Sequence, residues 1–227
     1  MQAVITGCNR GLGEGIARVL LEKEWNVIGL NRTSANNLGY SGYIDYVIDV
    51  SNKEDVGLCF LKNDKVDLLV INAGVRRFNN IENMPSGDWE DSVNINLNGA
   101  FYVTKKMLPY VKKAKGDIVI IGSHSEKYTF ESGAAYCSTK GALREFAECL
   151  MQEVRYDDVR VSYLSLGSIK NRDHGGDESW KLKPTDVGET IYSLIQLPKN
   201  IMIPYVDVRP SKPLMDLRPG IEKLQYV

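Results

Sequence analysis

Tyr136 and Lys140 stand four residues apart in AYCSTKG, at the opening of a stretch with helical patterning. Positions i and i+4 share one helix face, so a phenol and an ammonium can point into one site. A free phenol, with a pKa of about 10, is a poor base at neutral pH. A neighbouring cation stabilises the phenolate and draws that value down. The pair reads as a proton donor and acceptor with a cation set to tune it. The plainer alternative is a half-buried packing tyrosine and a solvated lysine.

A second pattern lies near the start. VITGCNRGLGEGIARVL sets Gly7, Gly11 and Gly13 between a strand-like run and a helix-like one, with Asn9, Arg10 and Leu12 among them. A phosphate needs close backbone approach and unpaired N–H groups, and a glycine turn at a helix N-terminus supplies both. The spacing is G-x3-G-x-G rather than G-x-G-x-x-G. Glycines also serve plain tight turns, so the strand before and the helix after carry the dinucleotide reading. A ribose 2′-hydroxyl is best held by an acid at the end of the second strand, and a 2′-phosphate by arginine. Here that strand ends GLNRTS, with Asn31 in the acid's place and Arg32 next. Arg10 can converge on the same phosphate. Two arginines and no acid predict NADP(H) over NAD(H).

These residues need a frame to hold them. Short β-branched runs at 2–6, 26–30, 43–48, 66–71, 117–122, 159–164 and 201–206 read as strands, most of them apolar on both faces. That is the pattern of a parallel sheet covered by helices. Helical patterning falls at 11–24, 52–62, 86–113, 135–156 and 184–197, and Thr33–Gly42 reads as loop. The repeated βαβ order predicts a doubly wound α/β sheet of about seven strands with helices on both faces. One domain over 1–227 is expected, with a substrate loop at about 170–183 and an extended tail at 207–227.

With TGCNRGLG (6–13), NAG (72–74), GS (122–123) and YCSTK (136–140) in this order, the chain resembles the classical short-chain dehydrogenase/reductase family. The resemblance runs from the first strand to about residue 167, and more loosely to the seventh strand. It implies a Rossmann-type fold and a ketoreductase-like activity, interconverting a carbonyl and a secondary alcohol. Four residues share the chemistry in that family, and they fall on Asn96, Ser123, Tyr136 and Lys140. Tyr136 is then the acid and base. Lys140 also holds the nicotinamide ribose, Ser123 donates to the substrate oxygen, and Asn96 keeps a water between Lys140 and solvent. Asp49 and Val50 match the family's adenine contacts, and Asn72, Ala73 and Gly74 its turn after the fourth strand.

Three departures stand out. Ile71 replaces the first Asn of the family's Asn-Asn-Ala-Gly. After the sixth strand SLGSIKN puts Leu166 before Gly167 where Pro-Gly is usual, and Asn171 in place of a threonine. Ile169 is left to offer its backbone to the nicotinamide carboxamide. The substrate loop is short, which predicts an open pocket or one closed by another subunit. Around it the sequence is polar: Arg76, Arg77, His124, Ser125, Glu126, Lys127, Lys170, Arg172 and His174. That suggests a small polar substrate, carrying a carboxylate, phosphate or several hydroxyls, with Arg76 and Ser125 on its path. The alternative is a solvated rim.

Bulk properties narrow the rest. The formal net charge of −1 gives no electrostatic footprint for nucleic acid or anionic membrane. No apolar run is long enough to span a bilayer. Cys8, Cys59, Cys137 and Cys149 have no metal-ligand or disulfide spacing, and two histidines are too few for a metal site. Cys8 and Cys137 read as small buried fillers. A reduced, cytoplasmic protein is expected, and the resemblance implies a homodimer or homotetramer through the long helices. Two other functions fit part of the pattern: a non-catalytic NADP(H)-binding sensor or scaffold, and a nucleotide-sugar epimerase or dehydratase. The latter usually needs a larger C-terminal region.

Overall fold

The computed structural model describes residues 1–34, 39–59, 61, 63–170 and 178–212. Seven strands form one parallel sheet: β1 Gln2–Thr6, β2 Asn26–Asn31, β3 Tyr43–Val47, β4 Leu68–Ile71, β5 Asp117–Ile121, β6 Arg160–Leu166 and β7 Tyr205–Val208. Their spatial order is β3-β2-β1-β4-β5-β6-β7. The chain builds outward from β1 to β3, then returns to lay β4 on the other side of β1. The crevice at that reversal, outside the carboxyl ends of the strands, is where doubly wound sheets take ligands.

Alternation along the strands explains the two layers. Val4 of β1 joins the core on one face, while Ala3 and Ile5 join the core on the other. In β5, Ile118 and Ile120 face one way and Val119 and Ile121 the other. Helices α4 (Gly99–Ala114) and α5 (Ala134–Val154) cover the first face with Val103, Met107, Val111, Leu143, Ala147 and Leu150. Helices α1 (Gly11–Glu22) and α6 (Pro184–Ile195) cover the second with Ile16, Leu20, Val187 and Ile191. Each of the Val, Leu, Ile and Met side chains among them contributes about 1.5–3 kcal/mol through removal from water. Gly15 lets α1 close on α6, since a Cβ there would lie 2.3 Å from the Pro184 ring.

Several boundaries differ from the sequence reading. The seventh strand is at Tyr205–Val208 rather than 201–206, because Pro204 has no N–H to give a ladder. The Pro204 carbonyl still accepts the Tyr163 N–H at 2.9 Å, and pairing begins with the next residue. Asp207 and Val208 therefore belong to the sheet and not to an extended tail; residues 213–227 lie outside the described residues. The long helix expected over 86–113 is broken into α3 (Ser86–Val93), a π-helical turn at Asn94–Asn98, and α4. The helix expected at 52–62 shortens to α2, Lys53–Leu58, capped by the Asn52 side chain. The substrate loop's base is closed by an Ile169–Leu182 bridge, while 171–177, with Arg172 and His174, lie outside the described residues. Among the described residues no helix is long and apolar enough to cross a membrane, and no cluster could hold a metal ion.

Candidate active site

The glycine turn is built by close packing. Gly7 and Gly11 take left-handed φ values of 67° and 58°, which side chains disfavour. A Cβ on Gly13 would lie 2.2 Å from the Gly7 carbonyl oxygen and 2.6 Å from Asn72 Nδ2. Asn72 Nδ2 donates to the Thr6 and Gly7 carbonyls at 2.9 Å each. Thr6 Oγ1 in turn accepts the Asn72 and Ala73 N–H groups, both at 2.9 Å. The two motifs thus interlock across β1 and β4, leaving bare backbone at the N-terminus of α1 with Arg10 exposed beside it. Leu12 is buried beneath. This cradle suits a dinucleotide diphosphate in both shape and donor chemistry.

At the end of β2, Asn31 is buried and turned inward. Its Oδ1 accepts the Cys8 and Asn9 N–H groups at 2.7 and 3.1 Å, holding the glycine turn down. Its Nδ2 donates to Asp45 Oδ1 at 2.6 Å and to the Tyr43 hydroxyl at 3.0 Å. Arg32, the next residue, is exposed. Asp49 Oδ1 accepts from the Ser51 N–H and hydroxyl, at 2.9 and 2.6 Å, and Val50 is buried against Gly99. Cys8 is fully buried and its thiol is pushed up to about 11 by burial, so it is a packing residue and not a nucleophile. Cys137 is likewise buried, with its thiol raised by desolvation.

Around the crevice, Asn96, Ser123, Tyr136 and Lys140 come from three places in the chain: the π-helical turn, the end of β5 and α5. Tyr136 and Lys140 lie on one face of α5, with Lys140 Nζ 5.9 Å from the centre of the phenol ring. Lys140 is only 5% exposed, and its Nζ donates to the Ile121 carbonyl at 2.8 Å. Burial pulls its pKa down to about 8, against the opposing pull of the Glu126 charge. Burial also raises the Tyr136 phenol, while the Ser123 hydroxyl and the Arg76 guanidinium act to lower it. Ser123 Oγ accepts from the Ser125 hydroxyl at 2.8 Å and from its N–H at 3.3 Å. Asn96 sits in the π-helical turn, a distortion common at functional sites. Its Oδ1 accepts the Val75 N–H at 2.7 Å, and its Nδ2 donates to the Val75 carbonyl and Thr139 Oγ1, both at 3.0 Å. Gly74 lies directly beside it.

Of the polar residues expected around the substrate, His124, Ser125 and Glu126 turn inward, while Arg76, Lys127 and Lys170 stay exposed. His124 is buried, and its Nε2 is 2.8 Å from Asp207 of β7. Ser125 is buried at 2% exposure. Glu126 turns inward to accept from the Tyr163 hydroxyl, from Ser165 Oγ at 2.8 Å and from the Tyr205 hydroxyl at 3.0 Å. Lys127 stacks over the Tyr205 ring. Glu126 is drawn in because the Tyr163, Ser165 and Tyr205 hydroxyls on β6 and β7 need an acceptor. Of the adjacent arginines, Arg77 is held by Asp88 and Asp91 at 3.2 and 3.0 Å, while exposed Arg76 bears on Tyr136. Phe78 packs edge-on against both Tyr136 and Phe130, an aromatic wall the sequence reading missed. Tyr163 was also missed. Its ring lies under Gly122, where a Cβ would come within 2.1 Å, so Gly122 reports on it. After β6, the Gly167 N–H donates to the Val208 carbonyl at 2.9 Å, and the Ile169–Leu182 bridge fixes the turn without a proline.

The comparisons with known proteins agree with this fold. The family described as short chain dehydrogenase matches residues 1–180. The chain is 32% identical over 179 residues to the 3-oxoacyl-acyl-carrier-protein reductase FabG of Buchnera aphidicola subsp. Acyrthosiphon pisum, spanning 74% of this chain and 73% of the relative. An alcohol dehydrogenase from the archaeon Thermococcus sibiricus, solved with 5-hydroxy-NADP, superposes with a TM-score of 0.85 at 26% identity, covering 95% of this chain and 99% of that one. Serine dehydrogenase from Escherichia coli superposes with a TM-score of 0.81 at 25% identity, covering 92% and 97%. The chain belongs to the short-chain dehydrogenase family and is an oxidoreductase.

Proposed function

We propose that this chain is an NADP(H)-dependent oxidoreductase that interconverts a carbonyl and a secondary alcohol on a small polar substrate. One observation carries the reading: a nearly fully buried lysine, Lys140, has its ammonium 5.9 Å from the ring of Tyr136, on the helix face that meets Ser123. A charge held in so dry a place at a sheet's ligand-binding end marks a functional group.

The roles follow from the chemistry of each group. Gly7, Asn9, Arg10, Gly11, Leu12 and Gly13 form the diphosphate cradle. Arg10 and Arg32 attract the 2′-phosphate, and Asp49 and Val50 flank the adenine. Asn72, Ala73, Gly74 and Ile169 frame the nicotinamide end. When bound, the nicotinamide supplies or accepts the hydride. In the reducing direction Ser123 donates to the substrate oxygen as negative charge develops there. Tyr136 delivers its proton to that oxygen, and the Lys140 charge stabilises the phenolate left behind. Asn96 holds a water through which Lys140 exchanges protons with solvent. Arg76 meets an anionic substituent of the substrate, with Phe78 and Phe130 walling the apolar part and Ser125 steadying Ser123. The Thermococcus sibiricus relative's 5-hydroxy-NADP complex supports the cofactor assignment. Self-association through α4 and α5 fits Phe101, 46% exposed on α4.

Tryptophan fluorescence titration with NADPH and NADH, on wild type and Arg10→Ala/Arg32→Ala, tests the cofactor. Tighter NADPH binding that is lost in the double variant is expected, and no binding of either nucleotide would end the proposal. A screen of polar ketones and oxo acids with Arg76→Ala alongside tests the substrate class. The variant should lose anionic substrates and keep neutral ones.

A further inference from the structure

An acid does reach the end of β2, but from the neighbouring strand. Asp45 lies in β3, where aspartate is an unfavourable strand residue. Its Oδ1 accepts from Asn31 Nδ2 at 2.6 Å and from the Tyr43 hydroxyl at 3.2 Å, and its Oδ2 accepts from Ser34 Oγ at 3.2 Å. The site is built around it. Gly29, paired in register with Asp45, must be bare, because a Cβ there would lie 2.3 Å from the Tyr43 oxygen and 2.7 Å from Asn31 Nδ2. Asn31 then carries the link onward, with its side-chain Oδ1 accepting the Cys8 and Asn9 N–H groups of the glycine turn. A partly exposed carboxylate is thereby fixed at the strand end where a dinucleotide's adenosine ribose is recognised.

We infer that Asp45 is a specificity-determining residue which opposes the 2′-phosphate that Arg10 and Arg32 attract, and so keeps discrimination between NADPH and NADH small. A 2′-phosphate carries close to two negative charges at neutral pH, as other phosphate monoesters do, whereas a ribose hydroxyl carries none. The carboxylate therefore disfavours only the phosphorylated nucleotide. The inference rests on the reading that a nicotinamide dinucleotide lies along the glycine turn.

Asp45→Asn tests it. The amide oxygen keeps an acceptor for Asn31 and Tyr43, its NH2 can donate to Ser34 Oγ where Oδ2 accepted, and the charge is removed. Dissociation constants for NADPH and NADH are measured by fluorescence titration for wild type, Asp45→Asn and Arg10→Ala/Arg32→Ala. Asp45→Asn should tighten NADPH about tenfold and leave NADH within about twofold, the reverse of the arginine variant. Equal weakening of both nucleotides would make Asp45 a mere support of the turn and overturn the inference. So would weakening of NADH alone, since the carboxylate would then hold the ribose hydroxyls directly. Failure of the NADP(H) reading shows separately, as tighter NADH binding by wild type with no effect of the arginine changes.

Discussion

Arg160 and Lys140 are two buried cations at opposite ends of the sheet, 8% and 5% exposed, and the chain treats them in opposite ways. Arg160 begins β6. Its guanidinium meets both oxygens of Asp117 at 2.5 and 3.0 Å and donates to the carbonyls of Leu197 at 2.9 Å, Ile195 at 3.1 Å and Ile201 at 3.2 Å. Lys199 adds a second cation to Asp117 at 3.0 Å. Lys140 has one carbonyl, that of Ile121, and Glu126 as the anion acting on it. A planar guanidinium with every donor directed is a structural tie. An ammonium with spare donors in a dry site is held ready for a ligand and for proton exchange. Equal burial therefore hides opposite purposes, and satisfaction of the donors separates them.

The largest expected effect sharpens the functional side. Tyr136→Phe keeps the ring against Phe78 and under Lys140 but removes the transferable proton. Turnover should fall by about 10²–10⁴-fold, with the NADPH dissociation constant unchanged. Steady-state kinetics on the best substrate of the screen, with a parallel binding titration, checks this.

Next comes the structural side. Arg160→Met leaves Asp117 with Lys199 as its remaining cation and orphans several carbonyls, and should destabilise the fold by about 3–5 kcal/mol. Activity per folded molecule should be unchanged. Denaturant unfolding with an active-fraction assay separates the two.

Lys140→Met should act in the other direction. The folded-state pKa of about 8 lies below the ordinary value of 10.5, so at pH 7 both folded and unfolded chains hold the proton and the fold carries the full cost of a buried charge. As pH rises from about 8 toward 10.5, the unfolded chain keeps a proton that the folded chain has released, and wild type gains stability. Lys140→Met should therefore stabilise the protein by up to about 3 kcal/mol at pH 7, the advantage shrinking above pH 8, while turnover is lost. Unfolding curves across that pH range read the slope. A smaller effect comes from Gly15→Ala, whose methyl would meet Pro184 and cost about 1–3 kcal/mol by overpacking α1 on α6, with equal loss at every pH.

How much of this was legible depended on whether the signal was local. The strands could be read because a parallel sheet covered on both faces needs continuous β-branched runs, and Gly7, Gly11 and Gly13 because a turn before a helix has its own spacing. The seventh strand was misplaced since IMIPYV is apolar enough for a strand, and only the missing N–H of Pro204 delays its pairing. The π-helical turn at Asn94–Asn98 left no sign in a helical pattern that continues through it. Glu126 reads in the sequence as substrate-facing and Asp45 as nothing in particular, because what defines their roles is tertiary: three hydroxyls from β6 and β7 in one case, and an amide from β2 in the other. A carboxylate inside a strand was the available clue to Asp45, and a glycine just before Ser123 the clue to Tyr163.

The most direct test of the contrast needs no substrate: equilibrium unfolding of Lys140→Met and Arg160→Met beside wild type at pH 7. Opposite signs are expected, with Lys140→Met more stable and Arg160→Met less. If both variants lose stability, Lys140 is an ordinary structural cation, and the claim that its buried charge is kept for chemistry is wrong.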